Sequence, residues 1–292
     1  MKSHYHHIFI DARSVMVPVF YSNQERFSSV KALFSLITSS MKEFRPQTIC
    51  VVFGDHLSKS KKEFYPKYGS TRSERRDEKE KKALANEIEI ATYFLSHCPV
   101  RSISPIGIEA KDAIGYLSKI LQKPKLIISS NKDYFQILRP DLQVMEPKDG
   151  LMISEIEAEL ILGFPIKYYL LWKSIVGDSQ NGTHGIKRIG RDRAKRLIQH
   201  TLKTGRKFPL GSFDQKILSR NKYLFSVGEV LTKEEKHEVL KHYQFERTKP
   251  GVGVFMEHDP SSFGIQNEIK DIFVLSKETR RPKSKREGIT LQ

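Results

Sequence analysis

"HIFID", residues 7–11, is a short apolar run that ends in an acid, and the same arrangement returns along the first half of the chain. "TICVVFGD" (48–55) is a β-branched run suited to a strand buried on both faces, and it ends in Asp55. "VRSISPI" (100–106) predicts a strand before the helix "EAKDAIGYLSKIL", which Glu109 opens. "KLIISS" (125–130) predicts another, followed by "NKDYFQIL" with Asp133. Helical spacing fills the gaps. Ser28 or Ser29 is placed to cap a helix carrying Val30, Leu33, Phe34, Ile37 and Met41 on one stripe, and Leu84, Ile88, Ala91 and Leu95 mark a second. Strands alternating with helices predict an α/β domain, a mostly parallel central sheet with helices on both faces.

In such sheets functional groups collect beyond the carboxyl ends of the strands. Asp11, Asp55, Glu109 and Asp133 fall there, and Asp112 shares the first helical turn with Glu109. A single Asp after a strand is commonly a helix cap or turn residue. Acids at four independent strand ends instead predict a divalent-metal site of oxygen ligands, suited to Mg²⁺ or Mn²⁺.

The second half reads as helical: "PIKYYLLWKSIVG" (165–177), then "GIKRIG" (185–190), then "RDRAKRLIQHTL". The glycine-flanked turn between two helices predicts a helix–hairpin–helix. Gly185 and Gly190 allow the tight turn, and Ile186 and Ile189 anchor it. Backbone N–H groups at the following helix start can face a phosphate, and Lys187, Arg188, Arg191 and Lys195 surround it with positive charge. Such a grip is blind to base sequence.

Composition agrees with a polyanionic partner. The 292 residues carry 50 Lys and Arg against 34 acids, a net charge of +16, and nucleic acid is the commonest polyanion. Cys50 and Cys98 are too few for a disulfide framework and have no zinc spacing. His4, His6 and His7 read as edge-of-sheet residues rather than ligands. The start lacks the apolar core of a signal peptide and no run is long enough to span a bilayer, so an intracellular protein is expected, in bacterial cytoplasm or in a phage host.

The order of these motifs resembles the 5′-nuclease family, the flap endonucleases and the phage and bacterial 5′→3′ exonucleases, over about residues 5–200. Asp11 in "FIDARS" looks like the family's first acid and Asp55 in "VVFGDH" like its second. "FYPKYGSTR" is similar to the Tyr-Lys-x-x-Arg segment at the base of the helical arch. Arg72 matches, Gly69 stands where the Lys is expected, and Lys67 is the substitute two residues earlier. "IEAKD" keeps Glu109 and Asp112 of the family's Glu-Ala-Asp-Asp, with Lys111 in place of an acid. "SSNKDYFQIL" keeps Asp133 but has Asn131 for the preceding Asp. "GDSQNGTHGIKRIG" keeps Asp178 and the hairpin but has Asn181 for the second Asp.

The resemblance implies a 5′-nuclease α/β domain over 1–163 with an arch at about 56–82. A helical helix–hairpin–helix region over 164–276 follows, and then a basic tail over 277–292, expected to be disordered. It implies metal binding by Asp11, Asp55, Glu109, Asp112, Asp133 and Asp178, with Arg72 and Lys67 as catalytic cations. It also implies two or more Mg²⁺ or Mn²⁺ ions in the family's chemistry. Relative to that pattern the site loses two charge units at Lys111 and one each at Asn131 and Asn181. One weak ion site is expected to survive and a second is doubtful. The expectation is a DNA-binding family member, monomeric, acting on branched or 5′-ended duplex DNA, with cleavage weak or lost. The alternatives are an active Mg²⁺/Mn²⁺-dependent 5′→3′ exonuclease or flap endonuclease, and a replication scaffold. RNA/DNA hybrids and replication proteins are further candidate partners.

Overall fold

The computed structural model describes residues 5–23, 25–54, 57–70, 77–205, 211–244 and 259–279. Asp55 and Arg72 lie outside them, as do the rest of 71–76 and residues 280–292. A six-stranded sheet forms the centre. Its strands are β1 (His7–Asp11), β2 (Thr48–Val52), β3 (Arg101–Ile103), β4 (Lys125–Ile128), β5 (Leu142–Met145) and β6 (Met152–Ile153), in the order β3-β2-β1-β4-β5-β6. All neighbours pair in parallel except β5 and β6. Strand β1 is central, with Phe9 opposite Cys50 on one side and Ile127 on the other.

Alternation along the strands divides the core in two. Ile8, Ile10, Val51, Leu126 and Ile128 face a layer made by α1 (Ala12–Ser22), α2 (Ser28–Phe44) and α4 (Glu78–His97). Phe9, Cys50, Val52, Ile127 and Val144 face the other layer, led by α5 (Ala110–Ile120). Both faces of the sheet are therefore covered, which is what continuous apolar strands require. The short α3 (Lys59–Phe64) lies within the segment read as the arch, and α6 (Glu155–Leu162) follows β6.

Three local expectations change. Helix α2 starts at Ser28 after Phe27, whose φ of 62° is left-handed, and neither Ser28 nor Ser29 caps it from the preceding position. The buried Glu87 of α4 does that work from a distance: it accepts from Phe27 N at 3.1 Å and Ser29 Oγ at 2.5 Å. Strand β3 covers only Arg101–Ile103 of the 100–106 run, because Pro105 has no N–H to give a ladder. Residues 277–279, read from sequence as the start of the tail, complete the last helix, α11 (Gln266–Thr279). That helix returns to the N-terminal layer: Ile265, Ile269 and Ile272, at helical spacing, pack into the core beside α2.

The second half supplies α7 (Tyr169–Val176), a two-stranded hairpin of β7 (Gly177–Asp178) and β8 (Thr183–His184), and α8 (Arg191–Thr204). Helix α9 (Ser212–Phe225) packs against α7 through Ile217 and Leu218, and α10 (Lys233–Gln244) closes the sheet's second face with Val239 and Tyr243. Among the described residues no helix is long and apolar enough to cross a membrane.

Candidate carboxylate centre and nucleic-acid interface

Parallel topology brings the predicted acids to the carboxyl edge of the sheet. Asp11 ends β1 and caps α1, its Oδ1 accepting from Ser14 N at 3.4 Å. Gly54, just past β2, lets α5 approach: a Cβ there would lie 1.9 Å from Ala110 N. Glu109 is the residue before α5 and Asp112 lies in its first turn, both buried. Asp133 sits in the 3₁₀ turn Lys132–Ile137, where Asn131 accepts from Asp133 N at 2.9 Å. Asn131 thus serves as the cap of that turn.

Lysines join these acids into one network. Lys111 Nζ lies 3.2 Å from Asp133 Oδ2 and 3.5 Å from Glu109 Oε2. Lys61 of α3, 1% exposed, reaches Asp112 Oδ2 at 2.6 Å and Glu109 Oε2 at 3.7 Å. Lys173 of α7 pairs with Asp133 and stands 3.6 Å from Asp178 Oδ2. Asn181 Nδ2 donates to the same Asp178 oxygen at 2.7 Å. Tyr68 donates to Glu109 at 3.0 and 3.1 Å, and Tyr169 to Asp133 at 3.3 Å. Among the described acids of the site, Asp11 has no lysine partner among the described residues; Ser129 Oγ donates to it at 3.1 Å and Tyr134 OH at 3.3 Å.

The charge states follow from these partners. Burial would raise Asp133, but Lys173 and Lys111 outweigh it and hold the carboxyl well below the usual range. Burial likewise opposes the Lys111 ammonium, and Tyr68, Glu109, Asp133 and Asp112 together overturn it, so the ammonium is held firmly. Asp11 goes the other way, because burial lifts its carboxyl further than Ser129, Ser14 and Tyr134 pull it down. Burial also raises Asp112 against the pull of Lys61 and Lys111.

This arrangement fits a divalent ion poorly. Hard cations want several free carboxylate oxygens, whereas Glu109, Asp112, Asp133 and Asp178 already face ammonium groups. Among the described residues no group of three or more His, Cys, Asp or Glu is placed to hold a metal. Several members of the network escaped the sequence reading. Lys61 and Lys173 look like any other lysine in a chain with 50 basic residues, and only their placement beside buried carboxylates singles them out. Tyr68 stood in the quoted arch segment without an assigned role.

Lys67 is exposed, so the expected substitute cation is not buried with these acids. Gly69 explains why no lysine stands at its own position. Its φ is +75° and a Cβ would meet Leu57 at 2.0 Å, while its N–H donates to Asn181 O at 2.7 Å. The arch base and the Asn181 loop are therefore locked together.

At the hairpin turn the roles of the residues separate. Ile186 is buried against Ile175 and Ala194, with Ile189 packed beside them, so the two isoleucines anchor the turn as expected. Gly185 is needed for close approach, since a Cβ would come within 2.2 Å of the Ile175 and Val176 carbonyls. The left-handed residue is Arg188, at φ 66°, not a glycine. Gly190 precedes α8 with open space where a Cβ would be. Lys187, Arg188 and Arg191 are exposed around it and Lys195 is half-buried.

The family model described as "5'-3' exonuclease, N-terminal resolvase-like domain" matches residues 6–161, more than half of the chain. The chain belongs to the 5′-3′ exonuclease family. This exonuclease-family chain is 23% identical over 174 residues to the 5′-3′ exonuclease of Buchnera aphidicola, spanning 58% of itself and 59% of that protein. It is 22% identical over 212 residues to DNA polymerase I of Lactococcus lactis, of which it spans 24%. Among solved structures, T5 5′-exonuclease with bound zinc overlays with a TM-score of 0.66 at 17% identity, over 92% of this chain and 98% of that one. A T5 flap endonuclease complex with DNA and metal ions gives 0.63 at 18% identity, over 93% and 99%. Flap endonuclease-1 of Methanococcus jannaschii gives 0.55 at 16%, over 95% and 94%. These overlays establish a shared fold.

Proposed function

We propose that this family member binds branched or duplex DNA in replication, repair or recombination and cleaves it weakly or not at all. The observation that carries the reading is Lys111, whose ammonium lies between the buried Glu109 and Asp133 carboxylates. DNA in the T5 complex and the +16 charge support the partner. The division of labour follows the chain: residues 1–163 carry all of the carboxylates but Asp178, and 164–276 carry the duplex grip.

A divalent ion in such a centre supplies water activation and stabilises the leaving oxygen. In this chain Lys111 and Lys173 already neutralise the carboxylates, and Lys187, Arg188 and the α8 backbone N–H groups hold phosphate without reading bases. A single weak ion site on Asp11 and Asp55 is the most the acid set supports. Residual Mg²⁺- or Mn²⁺-dependent 5′→3′ activity is the second reading, favoured by the metal ions in the T5 structures.

One assay separates them. A labelled 5′-flap duplex incubated with the full chain, with EDTA, Mg²⁺ or Mn²⁺, is expected to be bound in all three and left intact. Brisk metal-dependent trimming of 5′ ends that Asp11→Ala abolishes would establish the second reading instead.

A further inference from the structure

Helix α6 has an apolar face on each side. Ala158 is buried, and Leu162 packs with it against the core on the sheet's second face. Ile156 and Leu160 stand out from the molecule at 70% and 76% exposure, and Ile161 beside them is 47% exposed. Residues four apart are neighbours on a helix surface, so Ile156 and Leu160 form one apolar ridge. A single exposed apolar side chain is ordinary, whereas a run of them across successive turns is the kind of surface that partners cover.

The charge around the ridge is the reverse of the molecule's. Between Lys148 and Lys167 the chain carries four acids, Asp149, Glu155, Glu157 and Glu159, and no base, although the whole chain stands at +16. At about 3.6 residues per turn, Glu157 flanks the ridge on one side, and Glu155 and Glu159 flank it on the other. Two of these acids also hold the helix. Glu157 closes the capping box with Ser154, whose hydrogen bonds keep its carboxyl below the ordinary range and so ionised. Glu159 accepts from Ile166 N at 3.0 Å. The basic surface resumes past the helix's end, where Lys195 comes up against Gly163.

These acids decide the occupant. They repel the phosphates of DNA and of an anionic membrane alike. A second copy docked ridge to ridge would bring the same glutamates face to face. A partner whose apolar stripe runs between lysines or arginines satisfies both the ridge and its flanks.

We propose that the outer face of α6 docks another protein through a cationic amphipathic helix. The partner's apolar stripe lies along Ile156 and Leu160, and its cations meet Glu155, Glu157 and Glu159. This goes beyond DNA binding: it gives the chain a protein-facing surface separate from the duplex grip.

The test uses the full chain and a labelled synthetic peptide with Leu along one helical stripe and Lys elsewhere, followed by fluorescence anisotropy. A scrambled peptide of the same composition, a counterpart with Glu for every Lys, and a peptide of residues 280–292 are run beside it. The chain's net charge of +16 works against a cationic peptide binding elsewhere. The Leu/Lys peptide is expected to bind, less well as salt rises, and about tenfold more tightly than the scrambled and Glu peptides. The ridge variant, Ile156→Gln with Leu160→Gln, should lose about tenfold. Glu155→Gln, Glu157→Gln and Glu159→Gln together should lose a similar factor. Gln is a good helix former and still completes the capping box, so circular dichroism of both variants should match the parent. The ridge variant should also bind a 5′-flap duplex as the parent does. No binding by the Leu/Lys peptide, equal binding to parent and ridge variant, or equal binding by the scrambled peptide would overturn the proposal. Loss of the flap duplex by the ridge variant would put α6 on the DNA face and overturn it too. Dimerisation in light scattering that the ridge variant loses would make a second copy the occupant instead. Binding by the 280–292 peptide as tight as that of the Leu/Lys peptide would make it the chain's own segment.

Discussion

Lys111 is a buried cation whose partners, Glu109 and Asp133, are buried anions. Breaking a buried ion pair from one side is costly, because the charge left behind has neither water nor partner. Lys111→Met is therefore expected to lower stability by about 3–5 kcal/mol in EDTA, measured by denaturant unfolding. The same variant leaves Glu109 facing only Lys61 and Asp133 facing only Lys173 among the described lysines, so Mn²⁺ should restore more of its stability than it adds to the parent, by mass action on the folded state. Equal Mn²⁺ effects on parent and variant would mean that Glu109 and Asp133 are not usable ligands even when uncovered. Asn131 illustrates the opposite lesson about single residues: it departs from the family's acid yet keeps a local task, capping the 3₁₀ turn that presents Asp133.

At the scale of the element, the hairpin turn distinguishes its two glycines. Gly185 passes so close to the carbonyls that end α7 that any Cβ must push the helix or the turn aside. Gly185→Ala should cost about 3 kcal/mol, at the upper end for overpacking, and weaken duplex binding because the turn is displaced. Gly190→Ala meets nothing, and its effect on stability should stay within about 0.5 kcal/mol. Thermal unfolding of both variants, paired with duplex titration at low salt, checks the contrast. Comparable destabilisation by the two would contradict the packing at Gly185.

At the scale of the molecule, three separate elements deliver the departures from the family pattern. Lys111 comes on α5, Asn131 before the 3₁₀ turn, and Asn181 in the β7–β8 hairpin. Restoring acids at all three together, as Lys111→Asp, Asn131→Asp and Asn181→Asp, should create or strongly raise Mn²⁺-dependent cleavage of a 5′-flap duplex. Each single change should do much less, since ligands of one shared site act as a unit. Lys61 and Lys173 remain as counter-charges that keep the added acids from expelling one another. Intact DNA from both the parent and the triple variant would mean that something beyond these three positions limits cleavage, with the arch lysine missing at Gly69 the first suspect.

The continuous apolar runs and helical spacing of the first half, read alone, determined the layered α/β fold, because burying both faces of an apolar strand leaves few other arrangements. They also placed Asp11, Glu109 and Asp133 at one edge of the sheet, since parallel strands all point the same way. The glycine-flanked turn and its isoleucine anchors were legible for the same reason, being local geometry. The partners of the acids were not. Lys61 lies 51 residues from Asp112 and Lys173 lies 40 from Asp133, and nothing in a chain rich in lysine marks those two. Only the tertiary structure could say which cations lose their water and meet a carboxylate, because burial and charge pairing are properties of the packed interior, not of spacing along the chain.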